Sequence, residues 1–146
     1  MKIFKGRPII PGNTIGEALV SKKGFNTLAS FSRSIITKEK VAICSDQDNK
    51  ELYNKVLTQK ILIIPKTIGS TTAGLIWLTV AKMNIQPKAL VFTQKIDSLA
   101  VAGLVLTEVW LGKKIIAVDS IGDEIFDSVK EGDTVEITED GTVIIY

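Results

Sequence analysis

The chain has 146 residues, a formal net charge of +2, 45% hydrophobic residues and 23% charged residues. This composition is typical of a folded globular protein, and the length suits one domain spanning residues 1–146. The sequence contains no His and a single cysteine, Cys44. Ser-His-Asp hydrolysis, His-based zinc sites and an iron–sulfur cluster held by this chain alone are therefore excluded.

Lysines are scattered along the sequence, and charged residues interrupt the apolar stretches. The pattern lacks the concentrated basic face of nucleic-acid-binding proteins and the long apolar segment of a membrane span. The first residues also lack the continuous apolar core of a secretion signal. We therefore expect a cytoplasmic protein that binds neither nucleic acid nor membrane.

Hydrophobic patterning predicts a mixed α/β domain with two main helices. Residues 6–16 are rich in Gly and Pro, which predicts a long entry loop. The apolar run ILIIP predicts a strand buried on both faces. One helix is predicted to end near Met83, with Asn84 as its terminator, and a second spans Ser98–Leu111. The predicted strands are Lys2–Phe4, Glu17–Ser21, Asn26–Phe31, Lys40–Cys44, Ile61–Pro65, Leu90–Thr93 and Ile115–Val118, followed by a β-hairpin over residues 134–146.

A loop of small residues, Gly69-Ser70-Thr71-Thr72, separates the buried strand from the first predicted helix. Backbone N–H groups and hydroxyls at a helix start favour an anion such as carboxylate or phosphate, and Gly69 permits close approach. The segment lacks the Lys of a phosphate-binding P-loop. The alternative interpretation is structural, with Ser70 or Thr71 acting only as an N-cap.

Arg7 and Arg33 are the only arginines among 18 basic residues. A guanidinium binds carboxylates and phosphates bidentately, so Arg7 is a candidate anion ligand, although most surface arginines have no such role. Asp97 is predicted to cap the second helix.

Other polar and aromatic residues favour structural roles. Asp46 and Asp48 are typical of a solvated turn more than of a metal site. Cys44 ends an apolar run and is predicted to be a small buried hydrophobe. Trp77 and Trp110 are predicted to pack in the core or against a partner.

Three segments taken together resemble the small subunit of the aconitase X family. They are GR…G…GEALVS within residues 6–21, ILIIP…GST within residues 61–71, and PKALV at residues 87–91 with the later helix and the GDTV and GTV turns of the tail. The match in order and spacing covers nearly the whole chain. The first two segments are specific, whereas the tail is a generic hairpin.

This resemblance implies the swivelling β/β/α domain of aconitase, paired with a large subunit that carries an iron–sulfur cluster, expected to be of the 4Fe–4S type. The two subunits form a hydro-lyase, and the small subunit itself binds no cofactor. Archaeal members convert (R)-5-phosphomevalonate to trans-anhydromevalonate 5-phosphate in a modified mevalonate pathway. By its position in the motif, Ser70 is the expected general base, and Arg7, Gly69, Thr71 and Thr72 are expected to bind substrate.

Two departures from the family pattern bear on the substrate. Members usually carry Arg just before the Gly-Ser pair, where this chain has Thr67-Ile68, and a Gly-rich stretch where it has residues 31–34. Arg33 is a candidate replacement for the lost charge. Two alternatives stay open: a dehydratase of another hydroxy acid such as cis-3-hydroxy-L-proline, and a non-catalytic binding or regulatory domain.

Overall fold

Ten strands and three α-helices make up the chain in a computed structural model that describes residues 1–146. The strands are β1 (Lys2–Lys5), β2 (Arg7–Ile10), β3 (Thr14–Val20), β4 (Phe25–Asn26), β5 (Ile61–Ile64), β6 (Thr67–Ile68), β7 (Ala89–Phe92), β8 (Ile116–Asp119), β9 (Thr134–Ile137) and β10 (Thr142–Ile145). The helices are α1 (Thr27–Ile36), α2 (Gly74–Lys82) and α3 (Ser98–Leu111), and a 3₁₀ turn over Thr71–Ala73 leads directly into α2.

Strand β3 belongs to two sheets. Its first half pairs with β9 in an antiparallel sheet that continues through β10 to β1. Its second half pairs with β5, which is followed by β7 and β8, all parallel, with antiparallel β2 at the outer edge. The polypeptide therefore turns from one sheet into the other within a single strand.

Side chains that alternate along the parallel strands divide the core in two. Ile61 and Ile63 pack towards β9 and β10, whereas Leu62 and Ile64 pack towards the helices. The layers are thus antiparallel sheet, parallel sheet and helices, and the predicted α/β class of the β/β/α type is confirmed. All of β5 is buried, as its apolar run predicts. None of the three helices has the length and apolar character that crossing a bilayer requires.

Helix α1 replaces the strand that the sequence predicts over Asn26–Phe31 and makes three main helices where two were predicted. The Asn26 side chain accepts a hydrogen bond from the Ala29 N–H at 3.0 Å and so starts the helix. Its buried face is formed by Thr27, Ser30, Phe31 and Ser34. These positions have helical spacing, but only one is apolar, so the hydrophobic period is hidden.

Two further predictions are wrong. Residues 40–44 form only one isolated bridge, between Ile43 and Val56, and no strand, because the Ile43 N–H donates to Ser34 Oγ and the Ala42 N–H to Thr58 Oγ1. The predicted entry loop contains β2, whose Pro8 is tolerated because β2 lies at a sheet edge. The tail hairpin is confirmed, and so is Asn84 as a terminator, since it adopts a φ of 61° just after α2.

Candidate functional site

The loop Gly69-Ser70 is held against the start of α1 by a two-stranded parallel pair. Phe25 and Asn26 of β4 pair with Thr67 and Ile68 of β6. Gly69 has a φ of 109°, and a Cβ built on it would lie 2.9 Å from Asn26 Oδ1. A side chain at position 69 is therefore excluded both by backbone conformation and by the capping residue of α1.

Three helical segments begin around one cleft. Asn26 caps α1, Ser70 caps the turn that leads into α2, and Asp97 caps α3 as the sequence predicts. The cleft is lined by Thr27, Thr67, Ile68, Gly69, Ser70, Ala73, Gly74, Trp77, Asp97, Leu99 and Ala100. Because helix starts carry partial positive charge, their convergence favours negative charge on a ligand or on Ser70.

Ser70 is exposed at the mouth of this cleft. Its Oγ accepts a hydrogen bond from the Thr72 N–H at 3.2 Å and lies 2.9 Å from Thr72 Oγ1. Both groups can donate to an alkoxide on Ser70 and lower the cost of forming it. The same N–H contact is what a simple N-cap makes, so the geometry is compatible with both interpretations. Thr71 is exposed in the turn beside it.

The cleft offers about 60 Å³ of free space. Sites that enclose a small molecule measure roughly 300–1,000 Å³. This cleft therefore presents part of a site, large enough for one functional group of a ligand but not for a whole phosphorylated acid.

Arg7 does not line the cleft. Its Nε and Nη2 donate to the two carboxylate oxygens of Asp119 at 2.8 and 2.7 Å, and 54% of its side chain remains exposed. Asp119 is buried and also accepts the Ile96 N–H at 2.8 Å. Burial raises the pKa of Asp119, but the hydrogen bonds from Arg7 and Ile96 outweigh it, and the pKa is lowered overall. Through Asp119, Arg7 thus helps to hold Ile96, which directly precedes the Asp97 cap.

Sequence reasoning missed a group of cations at the same edge of the parallel sheet. Lys22, Lys66 and Lys95 each lie two or three residues beyond the carboxyl end of β3, β5 or β7, and all are exposed. None of them forms a salt bridge. Proteins of the α/β class bind ligands at the carboxyl edge of the parallel sheet. This rule, applied to the predicted strands, would have identified the three lysines as candidate ligand-binding residues. Arg33 lies instead in the last turn of α1, away from the cleft.

The residues of this chain do not fit a metal centre. Cys44 is fully buried, and burial raises the pKa of its thiol. No group of three or more His, Cys, Asp or Glu residues is arranged to hold a metal ion. Asp46 accepts the N–H of Asp48 at 3.0 Å in a local turn. An iron–sulfur cluster needs three or four thiolates and cannot be held here.

A family match decides the relationship of this chain to known proteins: residues 3–145 match the aconitase X swivel domain. The chain belongs to the aconitase X swivel domain family. The resemblance seen in the sequence is therefore confirmed.

Relatives of this swivel domain include two phosphomevalonate dehydratase small subunits. The one from Methanosarcina mazei is 27% identical and covers 90% of this chain and 82% of its own length. The one from Thermococcus kodakarensis is 25% identical and covers 73% of this chain and 74% of its own length. The crystal structure of Thermococcus kodakaraensis aconitase X in its holo-form has the same fold, with a TM-score of 0.82 at 24% identity, over 100% of this chain and 99% of that chain.

Proposed function

We propose that this swivel domain is the small subunit of a phosphomevalonate dehydratase and that it acts with a large subunit. The observation that carries the proposal is Ser70, exposed in a partial cleft where three helical segments begin. The relatives named phosphomevalonate dehydratase small subunit support the choice of substrate.

Dehydration of a hydroxy acid removes a proton from the carbon next to the carboxylate and hydroxide from the following carbon, leaving an alkene and water. In this proposal Ser70 Oγ, as an alkoxide, takes the proton. A free serine hydroxyl is a poor base at neutral pH, so its alkoxide needs stabilisation. The donors from Thr72 and the surrounding helix starts supply it.

The unpaired cations at the sheet edge suit a phosphorylated acid. Lys66 and Lys95 form no salt bridge in this chain and are free to attract the phosphate, whereas Lys22 shares a surface pocket with Asp123, Glu124 and Asp127. We expect the exposed part of the Arg7 guanidinium to attract the negatively charged substrate, while its Nε and Nη2 remain hydrogen-bonded to Asp119. Gly69, Thr71 and Thr72 are expected to approach the substrate with their backbone groups.

Four exposed apolar residues at or next to the cleft, here called the apolar rim, support a partner chain above it. Ile68 and Leu99 line the cleft, and Leu28 and Leu75 directly follow the lining residues Thr27 and Gly74. Exposed apolar clusters of this kind are typical of protein interfaces. A large subunit seated on this rim would complete the site, and any iron–sulfur cluster would belong to that subunit.

Replacement of Ser70 by Ala in the reconstituted complex tests the proposal. We expect kcat for phosphomevalonate dehydration to fall about 10²–10⁴-fold, because the proton acceptor is lost, while the subunits still assemble. Alkene formation and size-exclusion chromatography are the measurements. The control is Ser128→Ala, a half-exposed serine that does not line the cleft. Near-normal turnover by Ser70→Ala would make Ser70 a cap only.

A second hydroxy acid as substrate is favoured by one observation, the Thr67-Ile68 pair where the family usually carries Arg. The same complex is therefore assayed with cis-3-hydroxy-L-proline. Faster turnover of that amino acid than of phosphomevalonate would replace the substrate in the proposal and keep the role of Ser70.

A further inference from the structure

Thr27 is the first residue of α1 and lines the cleft beside Ser70. Its side chain is fully buried, and its hydroxyl has no hydrogen-bond partner anywhere in the chain. A buried hydroxyl without a partner is costly, so its presence in the wall of a cleft that can admit one functional group of a ligand needs an explanation.

We propose that the Thr27 hydroxyl binds a carboxylate oxygen of the hydroxy-acid substrate, as a specificity-determining contact beside Ser70. The inference rests on the proposed function. The carboxylate is attached to the carbon whose proton Ser70 takes, so it must lie within one bond of the reacting atom. The free space of about 60 Å³ beside Ser70 is large enough for a carboxylate.

The helix starts around Thr27 favour this charge, whereas the Asp97 carboxylate in the same lining opposes it. The starts of α1 and α3 both face the cleft, and the turn into α2 begins there as well. The one carboxylate in the lining, Asp97, has both oxygens engaged: Oδ1 accepts from Thr67 Oγ1 at 2.5 Å and Oδ2 from the Ala100 N–H at 3.0 Å. Asp97 is therefore held at the start of α3, and it accepts no hydrogen bond from the Thr27 hydroxyl.

The contact strengthens as the reaction proceeds. When the C–H bond breaks, its electron pair moves towards the carboxylate and increases the negative charge on those oxygens, and the proton passes to Ser70. A hydroxyl that donates a hydrogen bond to this carboxylate stabilises the transition state more than the ground state. The Thr27 oxygen is covered in the free chain, so binding requires a rotation about the Cα–Cβ bond, for which Thr in a helix has two favoured positions.

The test compares three variants in the reconstituted complex. Thr27→Val keeps the shape and removes the hydroxyl, and we expect kcat/KM for phosphomevalonate to fall about 10- to 100-fold, as for loss of a hydrogen bond to a charged group. Thr27→Ser restores the hydroxyl and should recover most of the activity. Thr93→Val is the matched control, because Thr93 is also buried with an unpartnered hydroxyl but does not line the cleft.

Thermal unfolding of each free small subunit separates a functional from a structural effect. We expect Thr27→Val to unfold at or above the wild-type temperature, because it removes an unpaired polar group. Unchanged kcat/KM in Thr27→Val, or an equal loss in Thr93→Val, would overturn the inference while the proposed function stands. A wild-type complex that dehydrates no hydroxy acid, or full turnover by Ser70→Ala, would instead remove the proposed function and this inference with it.

Discussion

Asp119 shows how one buried carboxylate organises residues that are far apart in the sequence. It joins the edge strand β2, through Arg7, to the segment after β7, through the Ile96 N–H. The residue after Ile96 is the cap of α3, which lines the cleft. Arg7 therefore supports the candidate site through Asp119 whether or not it also contacts substrate.

Replacement of Asp119 by Asn tests this support. We expect the free energy of unfolding at neutral pH to fall by about 1–3 kcal/mol, because the buried Asp119 side chain loses its charge-assisted hydrogen bonds to the half-exposed Arg7. Urea unfolding of the free small subunit measures the change.

The pH dependence of the free energy of unfolding gives a second measurement on the same variant. The pKa of Asp119 is lowered in the folded chain, so its stabilising effect is fully present above the ordinary Asp value of about 3.9 and is lost as the pH falls below it. The difference in the free energy of unfolding between wild type and Asp119→Asn should therefore become smaller as the pH is lowered through this range. A constant difference would contradict the assigned ion pair.

At the scale of elements, the start of α2 is fixed by its crossing with α3. A Cβ on Gly103 would overlap the Gly74 carbonyl oxygen, and a Cβ on Gly74 would overlap the Leu99 carbonyl oxygen. The two backbones therefore touch where both helices approach the cleft. Since Ser70 lies four residues before Gly74, this contact also sets the position of the proposed base.

Gly103→Ala is expected to destabilise the chain by about 1–3 kcal/mol, since a methyl group must force the two helices apart. Turnover in the complex should fall as well, because Ser70 moves with α2. The control is Gly112→Ala, whose Cβ meets nothing within 4 Å but whose φ of 64° costs about 1–2 kcal/mol by itself. If both variants lose stability but retain equal turnover, the crossing does not position Ser70.

The elements also show what could be predicted from the sequence. Strand β5 is read from its apolar run, because all four of its residues are buried. Helix α3 is found from its apolar composition, but its buried face consists of Ala100, Gly103, Leu104 and Thr107, whereas Leu99, Val105 and Val109 are exposed. Helix α1 is hidden, since its buried face carries Thr27, Ser30 and Ser34. The loop Gly69-Ser70 is found from its small residues, but the approach of Thr27 and Asp97 to it depends on sheet pairing over long sequence separations. No local pattern encodes that approach.

At the scale of the whole molecule, the apolar rim lies at the helix starts and not at the opposite sheet edge. Leu75 is 53% exposed in the first turn of α2. Ile3 is 61% exposed on β1, at the far end of the strand order. The two residues provide a matched pair for locating the partner, because both are apolar and neither supports the core.

Leu75→Glu should weaken assembly with the large subunit at least tenfold, because a carboxylate would be buried in the apolar contact. The fold of the free chain should be unaffected, since an acidic residue in the first turn of a helix is favourable. Ile3→Glu should assemble like wild type. Titration calorimetry of the two subunits measures both. Equal affinities for both variants would place the partner elsewhere on the surface.

The small free volume of the cleft has a consequence for enzyme assays. If each subunit contributes only part of the binding site, the active species exists only while the two chains are associated. On dilution below their dissociation constant, rate per milligram should decline, and adding an excess of either chain should restore it. Supplying extra small subunit would then raise flux in a cell only until the large subunit is saturated.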